Sequence, residues 1–329
     1  MMKKILFILI AIAAMAFCTA CGSVSIEGLS PEEALQVLDS KIKRHKKDAD
    51  LYYQRGSVLL EMGKQKNDTK YITSAINNFE EAIKLDDENI DYFIALGDAY
   101  FACKNFGKSY SALNRALKID ENNFQARLKM GEVAFYSGNH ELAMENLTKV
   151  TEQDRNNLTA LFMKGFIYKE IGDTANAVTL FRKVIDLYPD YEPAYEELGM
   201  LYAQYKNKLA VEYLNTALTL EPQNTNVLYG LAMLYQDLEE ADLANEYYVK
   251  ILEIDPNNKY AWYNRGWMEL VLYEDYNNAI DFFTKAIECD NRYADAYYNC
   301  GLAYEKLGEK AKAKQYYDEA LAIDPNYKH

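Results

Sequence analysis

The side chains that most often carry catalysis or bind metals are few and scattered in this chain. Histidine occurs three times, as His45, His140 and His329, in segments too far apart to form one site. The five cysteines show none of the spacings of a zinc site, and no glycine-rich phosphate loop is present. The sequence therefore offers neither a nucleophile with its base nor a metal centre.

Carboxylates are abundant, since the chain holds 50 Asp and Glu residues. They are spread over helix surfaces as in any acidic helical protein, so no two of them can be assigned as a general acid and its base. We expect a protein that is not an enzyme. We also expect no cofactor, no bound metal and no small-molecule substrate.

Two cysteines near the end of the chain leave a choice open. Cys289 and Cys300 are close enough in sequence to consider a disulfide, which an oxidising compartment would favour. A disulfide also requires a specific Cβ geometry that sequence does not reveal. We favour two partly buried thiols.

The bulk composition restricts the class of protein. Half of the 329 residues are hydrophobic and 29 are tyrosine, which is enough to build a continuous buried core and excludes intrinsic disorder. The formal net charge is -14. Nucleic acid is therefore an unsuitable partner, because its phosphates would be repelled.

A repeat organises most of the chain, and its clearest copy lies between Ala294 and Pro325. Large and small residues stand there at fixed offsets in two helix-length segments: Tyr297, Gly301, Tyr304, Gly308, Ala313, Tyr317, Ala320 and Pro325. Two helices can cross closely only where a side chain is small, so Gly301 and Ala313 mark the crossing and tyrosines fill the space around it. The pattern resembles the tetratricopeptide repeat.

Steps of about 34 residues, the period of this repeat, find the same frame upstream. The small residue of the first helix falls at Gly56, Gly97, Gly131, Gly165, Gly199, Ala232 and Gly266. The small residue of the second helix falls at Ala75, Ser109, Ala143, Ala177, Ala210, Ala244 and Ala279, with a large residue four positions later in each case. Eight repeats result, from residue 49 to 325.

The resemblance implies an all-α fold, namely a right-handed superhelical solenoid of about eight helix-turn-helix repeats. Three repeats depart from the common length. In the first, 19 positions separate Gly56 from Ala75 where regular repeats have 12, and we expect the extra residues in the loop at 63–70. The fifth repeat is one residue short around 206–209, and the seventh is one residue long around 274–278.

Four segments follow along the chain. Residues 1–20 form a lipoprotein-type signal peptide, 21–29 a lipid-attached tether, 30–47 an N-terminal capping helix and 48–329 the solenoid of eight repeats. Ser30, Pro31 and Glu33 predict the start of the capping helix. A basic cluster at 41–47 ends that helix, and a solvated helix end explains it better than contact with membrane headgroups.

Cys18-Thr19-Ala20-Cys21 resembles a bacterial lipobox, which implies that Cys21 carries a lipid. Gly22 follows it, and in Gram-negative lipoproteins that resemblance implies transport to the outer membrane. We expect a protein anchored by lipid on the periplasmic face of the outer membrane. Cleavage after Ala20 or Ala16 without lipidation is the alternative, because Cys18 stands where leucine is usual.

The inner surface of such repeats is formed by their first helices, and in this chain it is unusually apolar. We call the following the predicted groove residues: Tyr53, Phe101, Phe135, Phe162, Phe166, Met200, Tyr229, Met233, Tyr260, Tyr263, Asn264, Trp267, Tyr298 and Asn299. The aromatics would grip a peptide, Asn264 and Asn299 would hydrogen-bond its backbone, and inward carboxylates such as Asp98 and Glu132 would favour basic residues. For any one of them, packing between repeats is an equal alternative. For the cluster Tyr260, Tyr263, Trp267 and Tyr298 we prefer binding, because an exposed aromatic patch is costly to keep.

These observations predict a non-enzymatic scaffold or adaptor that binds a protein or peptide partner on its concave aromatic face. The likeness is to repeat-containing lipoproteins of the bacterial envelope. The alternative is an accessory subunit that recruits or regulates an envelope enzyme of glycan or cell-wall processing. Proteins that co-purify would separate the two, since a single enzyme in fixed ratio indicates recruitment.

Overall fold

The computed structural model describes residues 26–325 and 327. The predicted signal peptide, Cys21 and most of the tether lie outside the described residues. Within them, 17 α-helices follow one another, and no strand interrupts them. The helices are α1 (Pro31–Arg44), α2 (Ala49–Lys66), α3 (Thr69–Leu85), α4 (Ile90–Ala102), α5 (Phe106–Ile119), α6 (Phe124–Tyr136), α7 (His140–Gln153), α8 (Leu158–Glu170), α9 (Thr174–Leu187), α10 (Glu192–Gln204), α11 (Leu209–Leu220), α12 (Thr225–Asp237), α13 (Ala241–Ile254), α14 (Lys259–Met268), α15 (Tyr276–Cys289), α16 (Ala294–Lys306) and α17 (Lys310–Ile323).

The chain divides into two compact units, residues 1–187 and 188–329. Unit 1 contains α1 followed by four helix pairs, α2/α3 to α8/α9, and unit 2 contains four more, α10/α11 to α16/α17. In each unit the two helices of a pair pack on each other and each pair packs on the next. The all-α solenoid of helix pairs expected from the sequence is thereby confirmed.

The close crossing of each pair occurs where the repeat pattern places its small residue. A Cβ atom added at Gly56 would lie 2.6 Å from the Phe79 ring, and one added at Gly301 would lie 2.8 Å from the Tyr317 ring. The same relation joins Gly97 to Leu113, Gly131 to Leu147, Gly165 to Phe181, Gly199 to Leu214 and Gly266 to Phe283. The repeat register read from the sequence is confirmed.

Asparagine starts many of the first helices. Asn89, Asn123, Asn157, Asn224 and Asn258 are N-cap residues, and each side chain accepts a hydrogen bond from a backbone N–H two or three residues ahead. Such caps satisfy N–H groups that have no partner within the helix. Tyr293 occupies this position before α16 and makes no side-chain cap.

The turn inside a regular pair has one residue in the left-handed region, which in the third, fourth and eighth pairs is Gly138, Gly172 or Gly308. In other pairs a residue other than glycine adopts this conformation. Lys104 (φ 58°), Lys206 (φ 51°), Glu239 (φ 62°) and Glu274 (φ 54°) occupy this place.

The extra residues of the first repeat are not in a loop, so that expectation was wrong. They lengthen both helices, because α2 has 18 residues and α3 has 17, whereas α4 and α5 have 13 and 14. Only Asn67 and Asp68 separate α2 from α3. Gly63, predicted as loop, is buried within α2, where an added Cβ would lie 2.6 Å from Ile72.

The extra residue of the seventh repeat was also predicted in the wrong place. It is absorbed by a π-helical turn, Glu269–Tyr273, that continues α14. Glu274 then adopts the left-handed conformation of the other turns. A π turn accommodates one residue more than an α turn, so the helices on either side keep their packing. The short fifth repeat loses its residue within 206–209 as expected, but from the start of its second helix: α11 begins only at Leu209 and has 12 residues, and four residues separate it from α10.

Helix α1 covers the first pair of unit 1. Its N-terminus carries the predicted capping box, in which Glu33 N–H donates to Ser30 Oγ (3.3 Å) and Ser30 N–H donates to Glu33 Oε2 (2.9 Å). Ala34, Leu38 and Ile42 form the buried face of α1. Arg55 of α2 also reaches Asp39 (2.6 Å), which ties the two helices together.

Cys289 and Cys300 are both free thiols, so the favoured alternative is the one observed. Burial raises the pKa of Cys300 to about 12. None of the helices between residues 26 and 325 has the length and apolar character needed to cross a bilayer. Over that same stretch, His, Cys, Asp and Glu side chains form no group of three or more suited to a metal ion.

Candidate functional site

The predicted groove residues of unit 1 form a row of aromatic rings across successive first helices. Phe101 of α4 lies 5.3 Å from Tyr136 of α6, ring centroid to ring centroid. Phe135 touches Tyr136 (5.2 Å) and Phe166 of α8 (5.4 Å). Phe101, Phe135 and Phe166 are all half-buried. Each of these rings is therefore partly exposed and partly covered by a neighbouring ring.

Two groove residues of unit 1 belong to its core. Phe162 is only 2% exposed and packs on Phe181 at 5.6 Å, so its assignment to a binding surface was wrong. Tyr53 is half-buried and lies against Phe79 (6.0 Å) and Tyr92 (5.2 Å). The spacing rule placed these rings on the inner side of their helices but could not say how deeply the neighbouring helix covers them.

The inward carboxylates of unit 1 are neutralised by lysines. Asp98 accepts from Lys64 Nζ (2.7 Å) and lies 3.5 Å from Lys129 Nζ, which also donates to Glu132 (2.9 Å). Burial alone would raise the pKa of Asp98, but Lys129 and Lys64 hold it at about 2. The expectation that Asp98 and Glu132 attract basic residues of a ligand was wrong, since both are already paired.

Tyr136 stands beside this network with its hydroxyl buried and without a hydrogen-bond partner among the described residues. Burial, followed by the charge of Glu132, raises its pKa to about 12. It remains a neutral phenol at any physiological pH.

In unit 2, hydrogen bonds from two asparagines link successive first helices. Asn264 Nδ2 of α14 donates to the Tyr229 hydroxyl of α12 (3.0 Å) and to the Tyr260 carbonyl (2.9 Å). Asn299 Nδ2 of α16 donates to the Tyr263 hydroxyl of α14 (2.9 Å) and to the Asp295 carbonyl (3.0 Å). Each amide nitrogen has two hydrogens, and both are used inside the protein.

This arrangement decides what the two pairs can offer a ligand. Each carboxamide retains its Oδ1 as an acceptor, and each phenol, having accepted a hydrogen bond, retains its own O–H as a donor. Burial, as the largest cause, raises the pKa of Tyr263 to about 12, so that hydroxyl keeps its proton. One acceptor and one donor therefore recur at an interval of one repeat.

Tyr260 is the one member of the predicted aromatic cluster that is largely exposed, at 50%. Its ring lies 5.9 Å from the Tyr293 ring, and the Lys259 ammonium sits 5.0 Å from both ring centroids. Lys259 also donates to Asp290 (2.5 Å), which fixes the cation in place. The Lys259 ammonium thus holds the two tyrosine rings together through cation–π contacts.

The other members of that cluster are more covered than expected. Trp267 and Tyr263 are half-buried, and Trp267 packs against the hydrophobic clusters on both sides of it. Tyr298 lies between Tyr317 (5.2 Å) and Tyr327 (5.4 Å). A contiguous exposed patch of four rings was therefore the wrong description, because three of them stabilise contacts between repeats.

The methionines of the set fill gaps between helices. Gly230 leaves room for Met200, whose Cε would lie 2.5 Å from a Cβ added there. Met233 Sδ lies 3.3 Å from the Tyr248 hydroxyl. Both are half-buried, and their flexible thioethers adapt to the irregular space left by the tyrosines.

Tyr293 and Tyr327 were missed by the sequence reasoning. Tyr293 packs on Tyr263 (5.1 Å), and Tyr327 packs on Tyr298 while donating to Asp295 (2.7 Å). They stand 34 positions apart, at the place where asparagine caps other first helices. A tyrosine at that place was the available signal that the preceding inward ring would be covered.

Family models support the repeat assignment directly. Models of the tetratricopeptide repeat match residues 90–123, 159–191, 201–265 and 294–327, and a TPR repeat model matches residues 270–308. These stretches come from both units of the structure.

Similar proteins are diverse in source. Subunit 3 of the anaphase-promoting complex from Schizosaccharomyces pombe is 26% identical over 163 residues, which is 49% of this chain and 24% of that protein. The C-terminal part of a TPR repeat-containing protein from Cytophaga hutchinsonii has a TM-score of 0.63 at 19% identity, covering 73% of this chain and 97% of that one. A tetratricopeptide repeat protein from Parabacteroides merdae has a TM-score of 0.55 at 17% identity, covering 72% and 94%. The likeness to these two structures is one of fold.

Proposed function

Because the chain belongs to the tetratricopeptide repeat family, whose members act as protein-interaction scaffolds, we propose that it is a non-enzymatic adaptor. Its ligand is an extended segment of a partner protein, bound along the first helices of unit 2. The observation that carries this proposal is the repeated pair of an asparagine and a tyrosine hydroxyl, Asn264 with Tyr229 and Asn299 with Tyr263.

The spacing of the pairs suits an extended chain. Neighbouring helices pack about 10 Å apart, and an extended peptide advances about 3.3 Å per residue, so equivalent groups meet the peptide about every three residues. Each Oδ1 accepts from a peptide N–H, and each tyrosine O–H donates to a peptide carbonyl. Such main-chain contacts bind without demanding a particular side chain, while Tyr260 supplies an exposed ring for an apolar residue.

We further propose that the adaptor is tethered by a lipid on Cys21 to the periplasmic face of the outer membrane. The support is the lipobox-like Cys18–Cys21 segment and the glycine that follows it. A tether at one end of the chain leaves unit 2 far along the sequence from the membrane anchor.

Removing two hydroxyls tests the peptide site without removing any ring. Tyr229→Phe/Tyr263→Phe takes away one donor from each pair and leaves each asparagine without its hydroxyl acceptor. At about 1 kcal/mol per hydrogen bond, the yield of a partner crosslinked in intact cells falls about tenfold or more. The control is Tyr202→Phe/Tyr213→Phe, which changes a stacked pair between α10 and α11 whose centroids are 5.6 Å apart.

Partners captured equally well by wild type and by Tyr229→Phe/Tyr263→Phe would contradict the peptide site. Tyr260→Ala is a second test of the site, since this exposed ring can be removed with little effect on folding. Loss of the same partner from both variants, with the control unchanged, supports one continuous site on unit 2.

A further inference from the structure

The π turn of unit 2 exposes three consecutive apolar side chains. Val271, Leu272 and Tyr273 are 47%, 44% and 46% exposed, whereas Leu270 beside them is buried. A regular α-helix would turn one of every three or four residues toward its partner helix. The wider turn instead leaves a continuous apolar protrusion at the end of α14, which we call the bulge.

The bulge is held against the preceding repeat. The Tyr273 hydroxyl donates to Asp242 Oδ1 at the start of α13 (2.7 Å). This hydrogen bond raises the pKa of Tyr273 to about 12, so the phenol keeps its proton at neutral pH. The bulge is thus fixed in position relative to the turn that joins α12 to α13.

The segments that meet at this hydrogen bond are strongly acidic. Residues 237–242 and 269–275 carry seven carboxylates and no lysine or arginine: Asp237, Glu239, Glu240, Asp242, Glu269, Glu274 and Asp275. Lys206 lies 3.7 Å from Asp237, but the rest of the set gains no salt bridge among the described residues. Burial and the nearby Asp275 raise the pKa of Glu269, as expected where negative charges gather.

An apolar centre flanked by carboxylates suits a partner that presents apolar side chains with cations beside them. An amphipathic helix with a leucine-like stripe and lysine or arginine on its flanks places apolar side chains on Val271 and Leu272 and cations beside Glu240 and Glu274. Three consecutive exposed apolar residues are long enough to contact about one turn of the partner helix. Short π segments are also frequently found at functional sites.

We propose that the bulge, with its acidic flanks, is a docking surface for a basic amphipathic helix of a partner protein. This surface shares no residue with the asparagine and tyrosine pairs of the proposed peptide site. The apolar residues contribute most of the affinity, and the carboxylates select the sign of the partner's charge and speed its association.

The test uses a probe of defined chemistry. A fluorescein-labelled 15-residue helix of leucine and lysine, with leucines at helical spacing, is titrated with the purified full chain by fluorescence anisotropy. The bulge variant is Val271→Ser/Leu272→Ser, and its control is Tyr205→Ser/Leu307→Ser, which removes exposed apolar residues from other turns of the same unit. We expect the bulge variant to bind about tenfold more weakly or worse and the control to bind like wild type.

Charge is tested at constant shape. Glu239→Gln/Glu240→Gln/Glu274→Gln weakens binding about threefold or more and flattens its dependence on salt. The control Glu246→Gln/Glu253→Gln/Glu288→Gln makes the same change in net charge at exposed positions elsewhere in unit 2 and leaves the affinity of wild type.

Three results would overturn the proposal. One is an unchanged affinity in the bulge variant, and another is equal binding of a leucine and glutamate helix. The third is a wild-type dimer in sedimentation that Val271→Ser/Leu272→Ser converts to monomer, because the bulge would then pair with a second copy of this chain. Tyr229→Phe/Tyr263→Phe leaves the probe's affinity unchanged, so failure of the peptide site and failure of the bulge remain distinguishable.

Discussion

Asp98 lies between the ammonium groups of Lys64 and Lys129, and Lys129 continues to Glu132. The four side chains belong to α2, α4 and α6, so the network joins three successive first helices of unit 1. A mostly buried charge is tolerated only while its partners are present. The contribution of Asp98 to stability is therefore conditional on both lysines and on its own ionisation.

Asp98→Asn should destabilise unit 1 by about 3 kcal/mol, because two lysines are left with a neutral partner in a poorly solvated place. Chemical denaturation followed by circular dichroism measures the loss. Asp87→Asn is the matched control, since Asp87 is exposed, and it should change stability by less than about 0.5 kcal/mol. Equal effects of the two substitutions would mean that the network contributes nothing.

Acid should remove the same contribution. The pKa of Asp98 in the folded protein, about 2, is below its ordinary value of 3.8. A lowered carboxyl pKa adds stability above the unfolded pKa, here about 2 kcal/mol, and that stability is lost as pH falls from about 4 to 2. Between pH 5 and pH 2 the wild type should lose more stability than Asp98→Asn does, and parallel losses would contradict the assignment.

At the scale of the helix pair, a glycine can be required or merely present. In α2, Gly56 meets the Phe79 ring, whereas in α5 an added Cβ at Gly107 would have no atom within 4 Å. Gly56→Ala should cost about 2 kcal/mol through overpacking, and Gly107→Ala should stabilise by about 0.5 kcal/mol through helix propensity. Opposite signs in urea denaturation are the expected result, and a shared sign would show that the Gly56 crossing can relax.

The π turn gives a second prediction at this scale. Deleting Val271 restores the regular repeat length and leaves Glu274 in its left-handed place, so α14 can end as an ordinary α-helix. The melting temperature should change by less than about 4 °C, because no buried side chain is removed. Binding of the leucine and lysine helix should be lost. A large fall in melting temperature would show that the extra residue is needed for folding.

The sequence predicts the helix pairs well because their crossings depend on local volume. A glycine such as Gly165 and a ring such as Phe181 recur at fixed offsets, and one pairing rule applies to every copy. Insertions are harder to place, because a longer helix or a π turn keeps the same packed faces as a longer loop. Residues 63–70 and 269–273 show both outcomes.

The candidate site was only partly predictable for a related reason. Helical spacing places Asn264 and Asn299 on the inner side, and both do connect first helices. Exposure depends instead on which side chains pack over each residue: Phe181 of the same helix pair packs on the buried Phe162, and Tyr327 covers Tyr298. The ion pairs of Asp98 could not be predicted from helical spacing either, since Lys64 and Lys129 come from other repeats.

At the scale of the whole molecule, the net charge of -14 is unevenly distributed. Unit 1 neutralises its inward carboxylates with lysines, whereas unit 2 gathers carboxylates around the bulge. A basic partner is therefore directed toward unit 2, and that attraction weakens with salt.

Attachment to the membrane is the remaining property at this scale. If Cys21 carries a lipid, Cys21→Ser should abolish incorporation of labelled palmitate and move the protein from the membrane fraction to the soluble periplasmic fraction. Cys18→Ser serves as the control and should leave both readouts unchanged. An unlabelled wild-type protein would instead support cleavage after Ala20 or Ala16 without acylation.

The left-handed residues of the turns have a consequence for local opening. Three successive turns of unit 2 place Lys206, Glu239 and Glu274 where Gly138 and Gly172 stand in unit 1, and each such side chain costs about 1 kcal/mol. Amide hydrogens at these turns should therefore exchange with solvent about fivefold faster than at the glycine turns. Glu239→Gly should slow exchange at its own turn. The hydrogen bond between Tyr273 and Asp242 connects the Glu239 and Glu274 turns, so a helix bound at the bulge should slow exchange at both of them and leave the Lys206 turn unchanged.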